Sequence, residues 1–155
     1  MSIERVTAYF ETLGIADRIR VLDASSATVA LAAQALHCEG ARIAKTLSFA
    51  GTDDVILVVT AGDMRIDNAK YRAQFGCKAK MLTPEEAVTR VGHAVGGVCP
   101  FAVNDGVGIY LDVSLQRFET VFPACGSSNS AIELTLEELW QYARPLGWVD
   151  VCKSI

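Results

Sequence analysis

The sequence lacks long apolar runs and paired cysteines, and each absence excludes a class of protein. No apolar run approaches the roughly 20 residues of a membrane-spanning helix. Residues 1–5 show no basic segment leading into an apolar one, so we expect no signal peptide. The five cysteines are scattered without a C-x-x-C pair, which predicts reduced thiols rather than disulfides or a structural zinc site. We therefore expect a cytoplasmic protein without a membrane partner and without a metal or other cofactor.

An excess of positive charge is also missing. The net charge of −4 argues against a protein that binds DNA or RNA mainly by neutralising phosphates, so we expect no DNA partner. It leaves room for a protein that contacts only the end of a nucleic acid. Neither a Walker A motif nor G-x-G-x-x-G occurs, and neither of the two histidines lies in a recognisable catalytic signature.

The apolar pattern predicts a chain that mixes helices and strands. With 51% apolar and 21% charged residues among 155, and no repeat or linker, we expect one globular domain over residues 1–155. Helices are predicted at 2–13, from Ser25 or Ser26 to about Gly40, at 67–76, from Thr83 and from Thr135, and strands at 20–22, 41–50, 55–61, 79–82, 107–113, 119–124 and 131–135. Strands dominate the middle of the chain and helices flank both ends. This order predicts an α/β (α+β) fold with a mixed, partly closed, barrel-like sheet flanked by helices.

Lys45 is the most informative residue in the pattern. Side chains alternate along a strand, so Lys45 shares a face with Ile43, Leu47 and Phe49. Lysine is almost never fully buried without a partner. Either its stem packs on the surface and its ammonium reaches water, or it lines a pocket as a cation that holds an anion or developing negative charge.

The stretch "VGGVCPF" (95–101) combines glycines, whose main-chain N–H groups could bind a ligand, with a cysteine. Gly96 and Gly97 allow backbone to approach a ligand closely, and Pro100 restricts Cys99 to extended geometry. The stretch is either a simple turn or a loop that presents N–H groups to an oxyanion. Cys99 would need a nearby base to act as a nucleophile, and His93 lies six residues before it.

A carboxylate, Asp112, closes the apolar strand "GIYLD". Its position fits two roles, a cap at the end of the strand or a group that binds an amine. The sequence does not choose between them.

Three segments together resemble one known family. They are "IAKTLSF" (43–49), "GGVCPF" (96–101) and "YLDVSLQRFETVFPACGS" (110–127). Their order and spacing are similar to those of the YbaK/prolyl-tRNA editing-domain family, and the resemblance covers nearly the whole chain. It implies a barrel-like sheet with a pocket for the 3′ end of aminoacyl-tRNA.

The resemblance also implies site residues. Lys45 matches the essential lysine of the family, and Gly96 to Pro100, through Gly97, Val98 and Cys99, matches its G-x-x-x-P loop. Thr46 follows the lysine as in the branch that acts on cysteinyl-tRNA(Pro), while Asp112, Gly126 and Ser127 match further substrate-binding positions. Two residues depart from the family: Cys99 replaces a frequent serine or proline, and Ala102 replaces a frequent glycine.

The function implied by the resemblance is hydrolysis of the ester in mischarged tRNA, most often Cys-tRNA(Pro), without an enzyme nucleophile or a metal. The expected partners are the 3′ end of the aminoacyl-tRNA and prolyl-tRNA synthetase. Alternatives are a non-catalytic module that binds tRNA ends or a synthetase, a thiol enzyme acting through Cys99, and a binding protein in which Lys45 pairs with a ligand carboxylate.

Overall fold

A computed structural model describes residues 2–23 and 28–155 of the protein. The helices in these ranges are α1 (Ser2–Leu13), α2 (Val29–Leu36), α3 (Asn68–Phe75), α4 (Pro84–Glu86) and α5 (Leu136–Ala143). The strands are β1 (Arg20–Val21), β2 (Ile43–Ala50), β3 (Val55–Ala61), β4 (Met64–Ile66), β5 (Val107–Asp112), β6 (Thr120–Pro123), β7 (Ser130–Ala131), β8 (Leu134–Thr135), β9 (Gly147–Val149) and β10 (Cys152–Ser154). Among the described helices, none is both long and apolar enough to cross a membrane.

Six strands form a mixed, curled sheet in the order β8-β6-β2-β3-β5-β9. The central pair, β2 and β3, is antiparallel, whereas β2–β6, β3–β5 and β5–β9 are parallel. Two small antiparallel pairs, β1–β7 and β4–β10, lie beside it. The predicted fold class, a partly closed mixed sheet flanked by helices, is confirmed.

Several predicted helix ends agree with the structure. Thr83 and Thr135 each form a capping box with the glutamate three residues later. The predicted caps Ser25 and Ser26 lie outside the described residues, and Thr28 caps α2 instead, accepting a hydrogen bond from the Leu31 N–H. α2 stops before the expected Gly40 because residue 37 turns left-handed, with φ 55°.

Two short predicted elements differ from the structure. Residues 79–82 form no regular strand; Met81 makes an isolated bridge to Phe49, flanked by two main-chain hydrogen bonds to β2. The expected strand 131–135 is divided between β7 and β8. Both segments lie where the curled sheet changes partners, and a local pattern of apolar residues carries no information about such a change.

One large apolar cluster lies on one face of the sheet, and two smaller clusters lie on the other. On one face, α1 and α5 contribute Phe10 and Leu139 to the main core around β3 and β5. On the other face, α2 packs on Ile43 and Phe122, while α3 packs through Tyr71 on Phe49. These two smaller clusters leave a gap between them, and that gap holds Lys45.

Candidate functional site

The site begins at an unpaired stretch of the outer edge of β2. β6 pairs with this edge only at Ile43 and Ala44. Farther along, Leu82 N–H donates to Ser48 O (3.0 Å) and Ala50 N–H donates to Lys80 O (2.9 Å). Thr46 lies between these contacts, and its main-chain groups point to the same edge as those of Ser48, because edges alternate along a strand.

A cavity of about 300 Å³ lies at this open edge. Its walls are α2, the first six residues of β2, residues 81–82, the glycine loop and the segment after β6. The lining consists of Thr28, Val29, Ala32, Leu36, Ile43, Ala44, Lys45, Thr46, Leu47, Ser48, Met81, Leu82, Val95, Gly96, Val98, Phe122, Ala124, Ser130 and Ala131. Among these described residues Lys45 is the only charged one, so the cavity is a mostly apolar site with a single cation.

Lys45 is half-buried between the two small apolar clusters and lies opposite Thr60 in the β2–β3 register. Burial lowers the pKa of its ammonium group, and the Cys152 sulfur and the Asp63 carboxylate oppose that effect. The Asp63 carboxylate is itself held by Arg117 through two hydrogen bonds of 2.6 and 2.9 Å. Within residues 2–23 and 28–155 no carboxylate pairs directly with Lys45, which leaves its ammonium group able to bind a ligand oxygen.

Thr46 also lines the cavity. Its hydroxyl oxygen is buried and has no hydrogen-bond partner in the described part of the chain. An unsatisfied buried hydroxyl costs about 1–3 kcal/mol, and because this oxygen is closed off from solvent, the Thr46 side chain presents no exposed polar atom to the cavity.

The glycine loop reaches the cavity through Val95, Gly96 and Val98. Gly96 has φ +94°, a left-handed conformation that favours glycine. The Gly97 N–H is donated to Ala94 O (3.0 Å), whereas the N–H groups of Gly96 and Val98 have no partner among the described residues. These two N–H groups are therefore among the donors that the loop can offer to a ligand.

The loop is supported from behind by the turn at Gly126 and Ser127. A Cβ atom on Gly97 would lie 2.6 Å from the Gly126 carbonyl carbon and 2.7 Å from the Ser127 nitrogen. Gly126 is in turn packed on α1, since its own Cβ would lie 2.7 Å from the Ser2 carbonyl carbon. Neither Gly97, Gly126 nor Ser127 lines the cavity, and the Ser127 hydroxyl is bonded to Asn129 and Ser130.

Cys99 and Pro100 form the buried end of the loop and do not line the cavity. Burial raises the pKa of the Cys99 thiol to about 12, so the sulfur is a neutral thiol near neutral pH. Its sulfur lies 3.6 Å from His93 Nε2, but that nitrogen also makes a 2.7 Å hydrogen bond to Phe101 O. The geometry does not supply an activated thiolate. Ala102, at the family's frequent glycine, has a left-handed φ of 51°.

Asp112 is also buried and lies outside the cavity lining. Its two oxygens accept hydrogen bonds from Ser114 N–H (3.0 Å) and Val151 N–H (2.9 Å). The carboxylate therefore caps the turn after β5 and fixes the C-terminal segment to the sheet. Of the two roles that its sequence position allows, the structure shows the cap.

The structure thus brings four of the ten predicted site residues to the cavity: Lys45, Thr46, Gly96 and Val98. Of the other six, Gly97, Cys99 and Pro100 are loop residues outside the lining, Gly126 and Ser127 support the loop from behind, and Asp112 caps the turn after β5. The sequence reasoning missed the wall formed by α2, represented by Ala32 and Leu36, and the segment at Met81 and Leu82. The apolar residues of α2 are recognisable in the sequence, but the surface that they cover depends on the tertiary fold.

Comparison with known proteins places this geometry in a family. Residues 23–142 match the model of the aminoacyl-tRNA editing domain. A Bacillus subtilis (strain 168) protein, "Uncharacterized protein YwhH", is 51% identical over 155 residues, covering 99% of each chain. A crystal structure described as "a putative trans-editing enzyme for prolyl tRNA synthetase" is 31% identical with a TM-score of 0.89, covering 99% of this chain and 98% of that one.

A more distant solved structure has the same fold. The crystal structure of "hypothetical protein APE2540" is 26% identical with a TM-score of 0.81, covering 94% of this chain and 99% of its own. The match of the family model to most of the chain agrees with the resemblance seen in the three sequence segments. The protein belongs to the aminoacyl-tRNA editing domain family, the YbaK family.

Proposed function

We propose that the protein is a trans-editing deacylase that hydrolyses the ester of mischarged tRNA, with Cys-tRNA(Pro) as the main substrate. The observation that carries this proposal is a half-buried lysine in a small apolar cavity, together with N–H groups of a glycine loop; within the described ranges, the lysine has no acidic partner and the N–H groups are free. A cation and N–H donors at one site suit a reaction in which negative charge develops on an ester oxygen.

The roles divide between side chain and main chain. Lys45 binds the polar groups of the terminal adenosine, while the N–H groups of Gly96 and Val98 orient the ester carbonyl and stabilise its oxyanion. The attacking group is water or a group of the substrate itself, since the described lining has no cysteine, histidine or carboxylate. An aminoacyl ester is already activated, so positioning and charge stabilisation can supply much of the rate.

Five of the remaining predicted site residues act through the loop. Gly97, Cys99, Pro100, Gly126 and Ser127 hold it in place rather than touch the substrate.

The size and the lining of the cavity suggest which amino acid the protein removes from tRNA. A volume of about 300 Å³ is at the small end of ligand sites and suits an aminoacyl group with part of its ribose. Its apolar walls favour a small, uncharged side chain. Cysteine fits this chemistry. Recognition of tRNA(Pro) is then shared with prolyl-tRNA synthetase.

A deacylation panel tests the proposal. The substrates are cysteinyl-, alanyl-, seryl- and threonyl-tRNA(Pro), with prolyl-tRNA(Pro) and cysteinyl-tRNA(Cys) as correctly charged controls, each with and without the synthetase. We expect hydrolysis of Cys-tRNA(Pro) to be fastest and prolyl-tRNA(Pro) to be spared. Hydrolysis at the spontaneous rate for every mischarged tRNA, with binding retained, would instead show a module that binds tRNA ends without turnover.

A further inference from the structure

His93 is a fully buried histidine with two hydrogen bonds of defined direction. Nε2 lies 2.7 Å from Phe101 O, and Nδ1 lies 2.8 Å from Ser2 Oγ. A carbonyl oxygen only accepts, so Nε2 carries the proton and Nδ1 accepts from the Ser2 hydroxyl. Burial lowers the pKa of the imidazole, Phe101 O opposes this, and the nearby Arg5 guanidinium adds to it. The ring is therefore neutral with one fixed tautomer.

These two bonds join the parts that shape the glycine loop. His93 comes immediately before residues 94–100 and Phe101 immediately after them, so the Nε2–H···O bond ties the two ends of the loop together. The bond to Ser2 ties the same ring to α1, and the start of α1 packs on Gly126. Gly126 in turn contacts Gly97, inside the loop. Through its two hydrogen bonds, His93 thus connects the start of the loop, the end of the loop and α1.

We propose that His93 is a positioning residue, which holds the 94–100 loop so that the N–H groups of Gly96 and Val98 face the cavity that contains Lys45. This inference rests on the proposed deacylase function but assigns a role to a residue outside the cavity. His93 does not touch the substrate and transfers no proton. It acts by fixing the loop against α1 and against the loop's own far end.

Two variants and a matched control separate positioning from general stability. His93→Gln places an amide donor near Nε2 and keeps the bond to Phe101 O. His93→Phe fills the volume but removes both bonds and leaves Phe101 O buried without its partner. Leu139→Ala is the control, because Leu139 is a fully buried core residue of α5 that makes none of the hydrogen bonds at His93, and its truncation destabilises the protein.

The kinetic readout is kcat against KM on Cys-tRNA(Pro), measured well below the melting temperature of every variant. A loop shifted by about 1 Å is expected to reduce kcat about 100-fold in His93→Phe. KM changes little, because the loop orients the ester rather than holding the tRNA. His93→Gln keeps the bond to Phe101 O but loses the bond to Ser2, so it is expected to recover part of kcat, whereas Leu139→Ala is expected to keep it. Equal kcat in His93→Phe and Leu139→Ala would overturn the proposal.

Amide hydrogen exchange of residues 94–100, without any substrate, provides a readout independent of activity. We expect faster exchange in this segment for His93→Phe, wild-type exchange there for Leu139→Ala, and exchange between the two for His93→Gln. Unchanged exchange in His93→Phe would refute the link, whatever the activity. If the wild type hydrolyses no aminoacyl-tRNA, the proposed function fails, while the exchange data still decide whether His93 fixes the loop.

A milder variant covers the case in which His93→Phe does not fold. The shorter amide of His93→Asn reaches Ser2 but not Phe101 O, so it breaks only the link across the loop. Faster exchange in residues 94–100 with a lowered kcat supports the proposal, and wild-type behaviour in both overturns it.

Discussion

Replacing Gly97 by alanine perturbs the contact that supports the glycine loop while adding a single methyl group. The new Cβ would lie 2.6 Å from the Gly126 carbonyl carbon, whereas ordinary van der Waals contact begins at 3.4 Å. The neighbouring atoms are backbone and cannot rotate away, so the loop and the turn must separate by about 0.8 Å, the difference between those two distances. The φ of Gly97 is not left-handed, and the effect is therefore steric.

The expected consequence has a structural and a catalytic part. Overpacking of this kind costs about 1–3 kcal/mol of the free energy of unfolding, which for a chain of this length lowers the melting temperature by roughly 2–12 °C. A displacement approaching 1 Å at the N–H groups that orient the ester reduces kcat by up to about 100-fold.

The assay is deacylation of Cys-tRNA(Pro) well below the melting temperature, accompanied by thermal unfolding. Gly147→Ala is the matched control, since a Cβ at Gly147 meets no atom within 4 Å and its φ is not left-handed. We expect the control to match the wild type in both measurements. If Gly97→Ala has the melting temperature and kcat of Gly147→Ala, the reasoning about loop support is refuted.

Three further predictions concern single side chains. Cys99→Ser is expected to keep most of the deacylase activity, because the buried thiol has a pKa near 12 and lies outside the cavity; loss of activity with the fold intact would restore the thiol-enzyme alternative. His37→Gly is expected to stabilise the protein by about 1 kcal/mol, since His37 is exposed with φ 55° at the end of α2. A lower melting temperature would contradict this. Tyr71→Phe is expected to raise the melting temperature by roughly 2–4 °C, because the Tyr71 hydroxyl is buried without a partner among the described residues; destabilisation would indicate that the hydroxyl has one.

Lys45 illustrates what a local pattern can predict. The period-two alternation placed it on a face with Ile43, Leu47 and Phe49, and in the structure these three apolar side chains belong to the clusters on either side of it. Alternation is a property of the strand backbone itself, so it survives folding. The choice between a surface lysine and a pocket lysine was not available from the pattern. It is decided by α2, which forms a wall of the cavity beside Lys45.

Asp112 and His93 illustrate what a local pattern misses. The N–H donor to Asp112 Oδ1 belongs to Val151, 39 residues later, and the partner of His93 Nδ1 is Ser2, 91 residues earlier. Neither contact can be predicted from the residues that adjoin Asp112 or His93 in the sequence. The three-segment resemblance found the family, yet it grouped residues that line the cavity with residues that support it, because both kinds lie in the same loop.

Lys45→Met tests the central claim most directly, because methionine keeps the length and the apolar stem of lysine but removes its charge. The measurement is single-turnover hydrolysis of Cys-tRNA(Pro) at saturating enzyme, which separates the chemical step from tRNA binding. Lys45 holds the terminal adenosine and so positions the ester against the loop N–H groups; misplacement by about 1 Å costs roughly 100-fold in rate, and we expect a loss of about that size with the fold unchanged. Hydrolysis by Lys45→Met at the wild-type rate would contradict the account.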